Sequence, residues 1–214
     1  MHVDVDHDLR PYFGEARDQG PRPTCLSFAM SDSHAAMRQG WLPLSCEYLH
    51  YYAVGRDGAG PNDAATLSAV LAALREDGQP EETAWPYIMQ PVVDAAKWVA
   101  PKGAVVFKCD GAEQSASVAA VVELISKRRA AIAAIRLSDG FFTPVNGVVD
   151  GFDPVPDPRL HAVVAVAIGH VGNRRFVLVR NSWGQAWGVN GHAWLSESYL
   201  APRLIAVAAF GEVS

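Results

Sequence analysis

The chain has 214 residues, half of them apolar, with a formal net charge of -5 and a sequence pI near 5.8. That apolar content supports a sizeable core of one or two domains and excludes a disordered chain. The acidic balance gives no reason to expect nucleic acid or an anionic membrane as a partner, and the one basic cluster, Lys127-Arg128-Arg129, reads as a helix C-terminus.

The start of the chain, with His2, Asp4, Asp6, His7 and Asp8, has neither the basic beginning nor the apolar core of a signal peptide. It reads as a solvated terminus rather than a metal cluster, so no metal is expected there. No run of about 18 apolar residues is present, so a soluble, cytoplasmic chain is the expectation. Cys25, Cys46 and Cys109 allow at most one disulfide, which favours a reducing compartment. Cys46 and Cys109 read as buried packing residues, with a bridge between them left open.

Leu9-Arg10-Pro11-Tyr12-Phe13 leads into a turn at Gln19-Gly20. Pro23 suits a first helical turn and Thr24 an N-cap, so a helix begins at Cys25 and runs to Gln39, where Gly40 stops it. Phe28, Ala29, Ala36 and Met37 form its interior stripe. A thiol at a helix N-terminus lies in the positive end of the backbone dipole, which predicts a Cys25 pKa below the free value of about 8.5. The plainer reading of the same residue is a small buried hydrophobe.

Ser45 caps a short second helix with Leu49 and Tyr52 inward and His50 as packing or surface. The Gly-rich stretch from Gly55 to Asp63 lacks the Lys-Ser/Thr ending of a phosphate loop and reads as a turn-rich lip. Asp63 is placed to cap a third helix carrying Leu67, Val70, Leu71 and Leu74, ended by Gly78. Residues 79 to 101, rich in proline, suggest irregular chain crossing between two lobes.

Beyond this crossing, Ala104 to Phe107 reads as a strand. Ser117 to Lys127 reads as a helix with Val118, Val121, Val122 and Ile125 on one face, and Ala131 to Leu137 as a second strand. Phe141 to Arg159 has no periodicity and reads as loop; its Asp150, Asp153 and Asp157 lack calcium-loop spacing. Strands follow at Ala162 to Ile168, Arg175 to Arg180 and His192 to Leu195, with His170 and His192 structural, and Leu204 to Phe210 packs back on the body.

Two of these strands carry what a cysteine nucleophile needs, a base and a group that orients it. His161 opens an apolar strand and Asn181 ends the next one. The order Cys, His, Asn, with the last two about 130 to 150 residues downstream, is the papain-like pattern.

The sequence resembles the papain-like cysteine peptidases over nearly its whole length. The Gln19-Gly20 turn six residues before Cys25, the His161-Ala162-Val163 strand, and Asn181-Ser182-Trp183-Gly184-x-x-Trp187-Gly188-x-x-Gly191 carry the resemblance. Trp85-Pro86-Tyr87 makes it most similar to compact bacterial members. The resemblance implies an α+β fold with a helical left lobe bearing the nucleophile helix, an antiparallel β-barrel-like right lobe, and the active-site cleft between them. Chain 1-214 would be one catalytic unit, with about 12-103 as the helical lobe, about 104-200 as the β-rich lobe, and the termini crossing over.

By position, the resemblance implies that Cys25 is the nucleophile and His161 its proton partner. Asn181 fixes the imidazole, Gln19 donates to the oxyanion alongside the Cys25 backbone N–H, and Trp183 covers the His-Asn contact. It implies substrate contacts at Ala64, Ala65 and Leu160, the last beside an apolar specificity pocket. The partner is a peptide or protein substrate, no cofactor or metal is required, and oligomeric state is left open. The chain as given carries no long inhibitory propeptide, so latency is expected to arise elsewhere.

Where the family usually reads Cys-Gly-Ser-Cys-Trp, this chain reads Arg22-Pro23-Thr24-Cys25-Leu26. The neighbouring disulfide half and the aromatic after the nucleophile are therefore absent, Pro21 and Pro23 restrain the turn instead, and Pro23 narrows the leaving-group edge. Because all four polar groups are present, hydrolysis of peptide bonds remains the first reading; these departures motivate one alternative, a catalytically silent peptide-binding module of the same fold, and a related amidase or acyl-transfer enzyme is a further one.

Overall fold

The computed structural model describes residues 2–151 and 159–214. Three helices occupy the first half: α1 (Cys25–Ala36), α2 (Cys46–Arg56) and α3 (Leu67–Glu76). Helix α1 packs against α2 and α3 as well as against two strands of the second half. Every residue from Ser27 to Ala36 is buried, including Asp32 and His34. The expected single apolar stripe is thus corrected: a helix enclosed on all sides has no solvated face, and its polar side chains bond within the core.

Two expected caps differ. Thr24 makes no side-chain cap; its hydroxyl meets the Tyr87 hydroxyl at 2.8 Å instead. Asp63 is too far upstream of α3 and accepts from Gly60 N, while Thr66 Oγ1 accepts from Ala69 N at 3.3 Å and starts the helix. Ser45 caps α2 as expected, accepting from Tyr48 N at 3.1 Å. Helix α1 also ends at Ala36 rather than Gln39, Met37 and Arg38 closing it with tight turn bonds.

The expected strand at Ala104 to Phe107 does not form. Gln79 and Phe107 exchange two backbone bonds in a single bridge, and Val105 is 77% exposed, so the apolar run has no partner strand to bury it.

The strands are β1 (Asp4–Asp8), β2 (Ala112–Gln114), β3 (Ala131–Arg136), β4 (Val148–Val149), β5 (Leu160–Val171), β6 (Arg174–Arg180), β7 (His192–Ser196) and β8 (Leu204–Ala209). They form one sheet in the order β2-β8-β3-β5-β6-β7-β4, with β1 on β5; among the described residues only β4 and β7 pair parallel. Between β2 and β3 lies α4 (Val118–Ser126), capped by Ser117; its buried residues are Val118, Val121, Leu124 and Ile125, with Val122 only half-buried. Two short helices, α5 (Asp139–Phe142) and α6 (Glu197–Leu200), flank the sheet connections.

The chain's start is therefore not a solvated terminus. Its side chains face water, but its backbone pairs with β5, and Asp6 meets His170 at 3.1 Å. That pairing needs Gly169: a Cβ there would lie 2.5 Å from the Asp4 carbonyl oxygen. The C-terminal run does more than pack on the body, since β8 lies within the sheet between β2 and β3. The stretch expected as loop holds the end of α5 and all of β4, elements too short to show periodicity; Asp153 and Asp157 lie outside the described residues.

Candidate active site

The first residue of α1 is Cys25, a half-buried thiol. Its sulfur interacts with the backbone N–H of Ala162, the third residue of β5, which sets it against the start of the strand that carries His161. His161 is buried, as is Asn181 just beyond the end of β6. Pairing of β5 with β6 brings the two together, and His161 Nε2 lies 2.6 Å from Asn181 Oδ1.

That oxygen also accepts from the backbone N–H of Ser182 at 2.8 Å, which identifies it as the carbonyl end of the amide. His161 Nε2 is therefore the protonated nitrogen of the neutral ring. Nδ1 is left as the nitrogen able to take or give a proton.

The Gln19 side chain is fixed at both ends. Its Oε1 accepts from Ser182 Oγ at 2.6 Å and its Nε2 donates to the Arg22 carbonyl at 2.8 Å, while its backbone N–H donates to the Ser182 carbonyl at 2.8 Å. One of the two amide protons on Nε2 is left over. Gln19, Ser182, Asn181 and His161 thus form one hydrogen-bonded chain.

The electrostatics correct one expectation. Burial pushes the Cys25 thiol up, outweighing the N–H groups of Ala162, Leu26 and Cys25 itself, which act the other way. The helix N-terminus contributes as predicted but does not win. Burial likewise pulls His161 down to about 4 against its bond to Asn181. Each group alone favours its neutral form, so a thiolate-imidazolium pair here draws its stabilisation from the two charges on each other.

Trp183 lies with its ring centroid 4.6 Å from that of His161, and Phe142 stacks on Trp183 at 5.2 Å. Phe141 and Trp187 complete the cluster, the Trp187 indole donating to the Phe141 carbonyl. Leu160 is 62% exposed at the first position of β5; Ala64 is exposed and Ala65 half-buried just before α3. A cavity of about 500 Å³ lined by Tyr51, Gly60, Pro61 and Trp98 opens on the helical side and contains none of the predicted site residues.

Ser182, Tyr87 and Phe142 were not singled out by sequence reasoning, and Arg22 stood out only as a departure from the family pattern. Ser182 and Tyr87 lie inside motifs that carried the resemblance, so their positions were flagged without their bonds. Phe142 lies in an aperiodic stretch and left no signal. Three free cysteines are present, so Cys46 and Cys109 are not bridged.

The family profile of the papain family cysteine proteases matches residues 12–204. Over 183 residues the chain is 27% identical to pro-cathepsin H of Mus musculus, covering 82% of this chain and 54% of that protein. Over 193 residues it is 24% identical to a cathepsin L-like proteinase of Fasciola hepatica, covering 88% and 58%. The chain therefore spans a little over half the length of these relatives. Among solved structures, xylellain, a cysteine protease from Xylella fastidiosa, superposes with a TM-score of 0.78 at 18% identity, covering 100% of this chain and 88% of that one, a likeness of fold.

Proposed function

The chain belongs to the papain family of cysteine proteases, and from that premise we propose that it hydrolyses peptide bonds through Cys25, His161, Asn181 and Gln19. Cys25 as thiolate attacks the scissile carbonyl carbon, forming a C–S bond and a tetrahedral oxyanion. The spare Gln19 amide proton and the Cys25 backbone N–H bind that oxyanion, each at a worth of about 3 kcal/mol. His161 hands its proton to the leaving amine; water, deprotonated by the same ring, then releases the acyl group.

The observation that carries this reading is the 2.6 Å contact between His161 Nε2 and an Asn181 oxygen already pinned by Ser182 N. It holds the imidazole in the tautomer that leaves Nδ1 free, on the strand whose Ala162 N–H acts on the Cys25 thiol. Trp183 shields that contact from water, and Ala64, Ala65 and Leu160 contact the substrate, with Leu160 beside an apolar pocket. Residues 12–103 and 104–200 form the two lobes, the termini crossing between them. Three unbridged cysteines favour a reducing, cytoplasmic compartment; no helix among the described residues is long and apolar enough to cross a membrane.

The neutral preferences of both Cys25 and His161 favour a second reading, a peptide-binding module without turnover. One experiment separates the two. An epoxysuccinyl peptide and a fluorogenic peptide library are applied to the wild type and to Cys25→Ala. Covalent labelling at Cys25 and turnover lost in the variant are expected. Equal background turnover with retained peptide binding would leave the module, and product masses other than hydrolysed peptide would indicate acyl transfer.

A further inference from the structure

Arg22 lies between Gln19 and Cys25, and its side chain has no solvent contact. Its own carbonyl accepts from Gln19 Nε2 and from Thr24 N, both at 2.8 Å. The direction of this carbonyl therefore sets which way the Gln19 amide turns and which proton remains for a ligand.

Its guanidinium is tied to three separate segments. Nη1 donates to the Glu47 carboxylate on α2 at 2.7 Å and to the Ile88 carbonyl at 2.6 Å, and Nη2 donates to the Pro61 carbonyl at 2.8 Å. Glu47 is itself held by the Trp98 indole N–H and by Ile88 N. The guanidinium also lies 5.2 Å from the Tyr87 ring centre, and the Tyr87 hydroxyl donates to the Gln19 carbonyl at 2.8 Å. Met89 closes the turn from above: Gly20 has φ +59°, and a Cβ there would lie 2.6 Å from Met89 Cγ.

A fully buried ion pair seldom stabilises a protein more than apolar residues of the same volume would. What a guanidinium adds is direction, several donors in one plane aimed at fixed acceptors. The side chain stands where the resembling family carries half of a disulfide, so the turn here is tied by hydrogen bonds rather than by a covalent link. Given the peptidase reading, we infer that Arg22 is the positioning residue of the oxyanion site, its guanidinium holding the Gln19 donor by fixing the Arg22 carbonyl against α2, the Pro61 loop and the Ile88 segment.

The test compares wild type, Arg22→Lys, Arg22→Met and Gln19→Ala, each first checked for folding by circular dichroism. Wild-type turnover abolished in Cys25→Ala secures the peptidase reading separately; no wild-type turnover would overturn that reading and this one together. With turnover present, Arg22→Met should lower kcat by roughly 100-fold, the scale of an ångström-level misplacement, with KM little changed. Affinity for a peptide aldehyde, whose thiol adduct carries the oxyanion, should fall in parallel. Alkylation of Cys25 by iodoacetamide develops no oxyanion and should stay within about twofold.

Arg22→Lys, which keeps the charge and one bond, should recover part of kcat. Combined with Gln19→Ala, either Arg22 variant should add little further loss. If Arg22→Met does not fold, Arg22→Lys decides alone by the same readings. A variant that loses alkylation and kcat equally, or whose loss multiplies with that of Gln19→Ala, overturns the assignment and leaves Arg22 a stability residue.

Discussion

Acid should loosen this protein well before its carboxylates titrate, because His34 and His50 are buried as neutral rings away from the proposed chemistry. His34 is 4% and His50 0% exposed. The His50 Nε2–H donates to the Pro61 carbonyl at 3.2 Å and its Nδ1 accepts from the Ser27 hydroxyl at 3.1 Å; His34 Nδ1 accepts from the Gln79 amide at 2.9 Å. Burial, then a nearby arginine (Arg38 for His34, Arg22 for His50), pulls each down to about 4.

The folded pKa lies below the unfolded value, so the unfolded chain binds the extra proton; stability is complete above about 6.5 and is lost as pH falls toward 4. At pH 5 each ring costs roughly 2 kcal/mol relative to neutral pH, about 4 kcal/mol together, against a total stability on the order of 5–15 kcal/mol. Glu82, whose carboxyl burial pushes up, acts in the opposite sense near the bottom of that window. His161, also pulled down to about 4 by burial, adds a loss of the same sign, and since a thiol beside a neutral ring and a thiolate beside an imidazolium hold the same single proton, the sign is the same for either resting form.

The assay is urea unfolding followed by tryptophan fluorescence at pH 7, 6 and 5, for wild type and His50→Gln. Glutamine can keep a donor toward Pro61 and an acceptor toward Ser27 but does not titrate. Expected is a falling stability in the wild type and a loss smaller by about 2 kcal/mol in the variant, His34, His161 and His192 still titrating in the same sense. Equal stability at pH 7 and pH 5, or an unchanged slope in His50→Gln, refutes the reasoning.

Asp32→Asn removes the charge that Arg17 Nε and Arg180 Nε share at 2.8 and 2.7 Å, and should cost roughly 3–5 kcal/mol in chemical unfolding; a midpoint unmoved would sink this. Ser182→Ala takes the donor from Gln19 Oε1 and should lower kcat by roughly fivefold, the worth of about 1 kcal/mol, at unchanged KM; a pure KM effect would contradict the role given to Gln19. Gly169→Ala puts a Cβ against the Asp4 carbonyl and should destabilise by about 1–3 kcal/mol while the β1 amides lose hydrogen-exchange protection; retained protection would show that β1 adapts.

The parts of the fold that were legible in the sequence are those whose signal is local. Ser45 announces its helix through a hydroxyl three residues before an orphan N–H, and the helix after Ser117 through the apolar face of Val118, Val121 and Ile125. Strands β3, β5 and β6 were visible as apolar runs because both faces are covered. What misled was anything decided by distant partners. Thr24 had the chemistry of a cap, but Tyr87, 63 residues away, took its hydroxyl. Ala104 to Phe107 had strand composition and no partner, whereas the acidic chain start had loop composition and found β5. At the candidate site the residue types were readable from motif and spacing. The direction of the Cys25 shift was not, because the dipole of α1 is set by sequence while the desolvation that outweighs it is set by everything packed around the thiol.

Asp32 shows why the site can depend on charges that no periodicity would place in a core. It lies seven residues after Cys25, two turns along α1 and about 10 Å away on the same face. Arg180, the residue immediately before Asn181, donates to it and also to the carbonyls of Gly14 and Glu15 at 2.7 and 2.6 Å, on the segment that leads to Gln19. One carboxylate is therefore bonded to the residue next to Asn181, through a guanidinium that also fixes the approach to Gln19, while sitting on the helix that begins with Cys25. Apolar side chains in this place would pack the core equally well but could slide, whereas a guanidinium bonded at three points fixes the strand end against the helix. The four groups proposed for catalysis come from three distant parts of the chain, and this link sets the relative register of the segments that carry Cys25, Gln19 and Asn181.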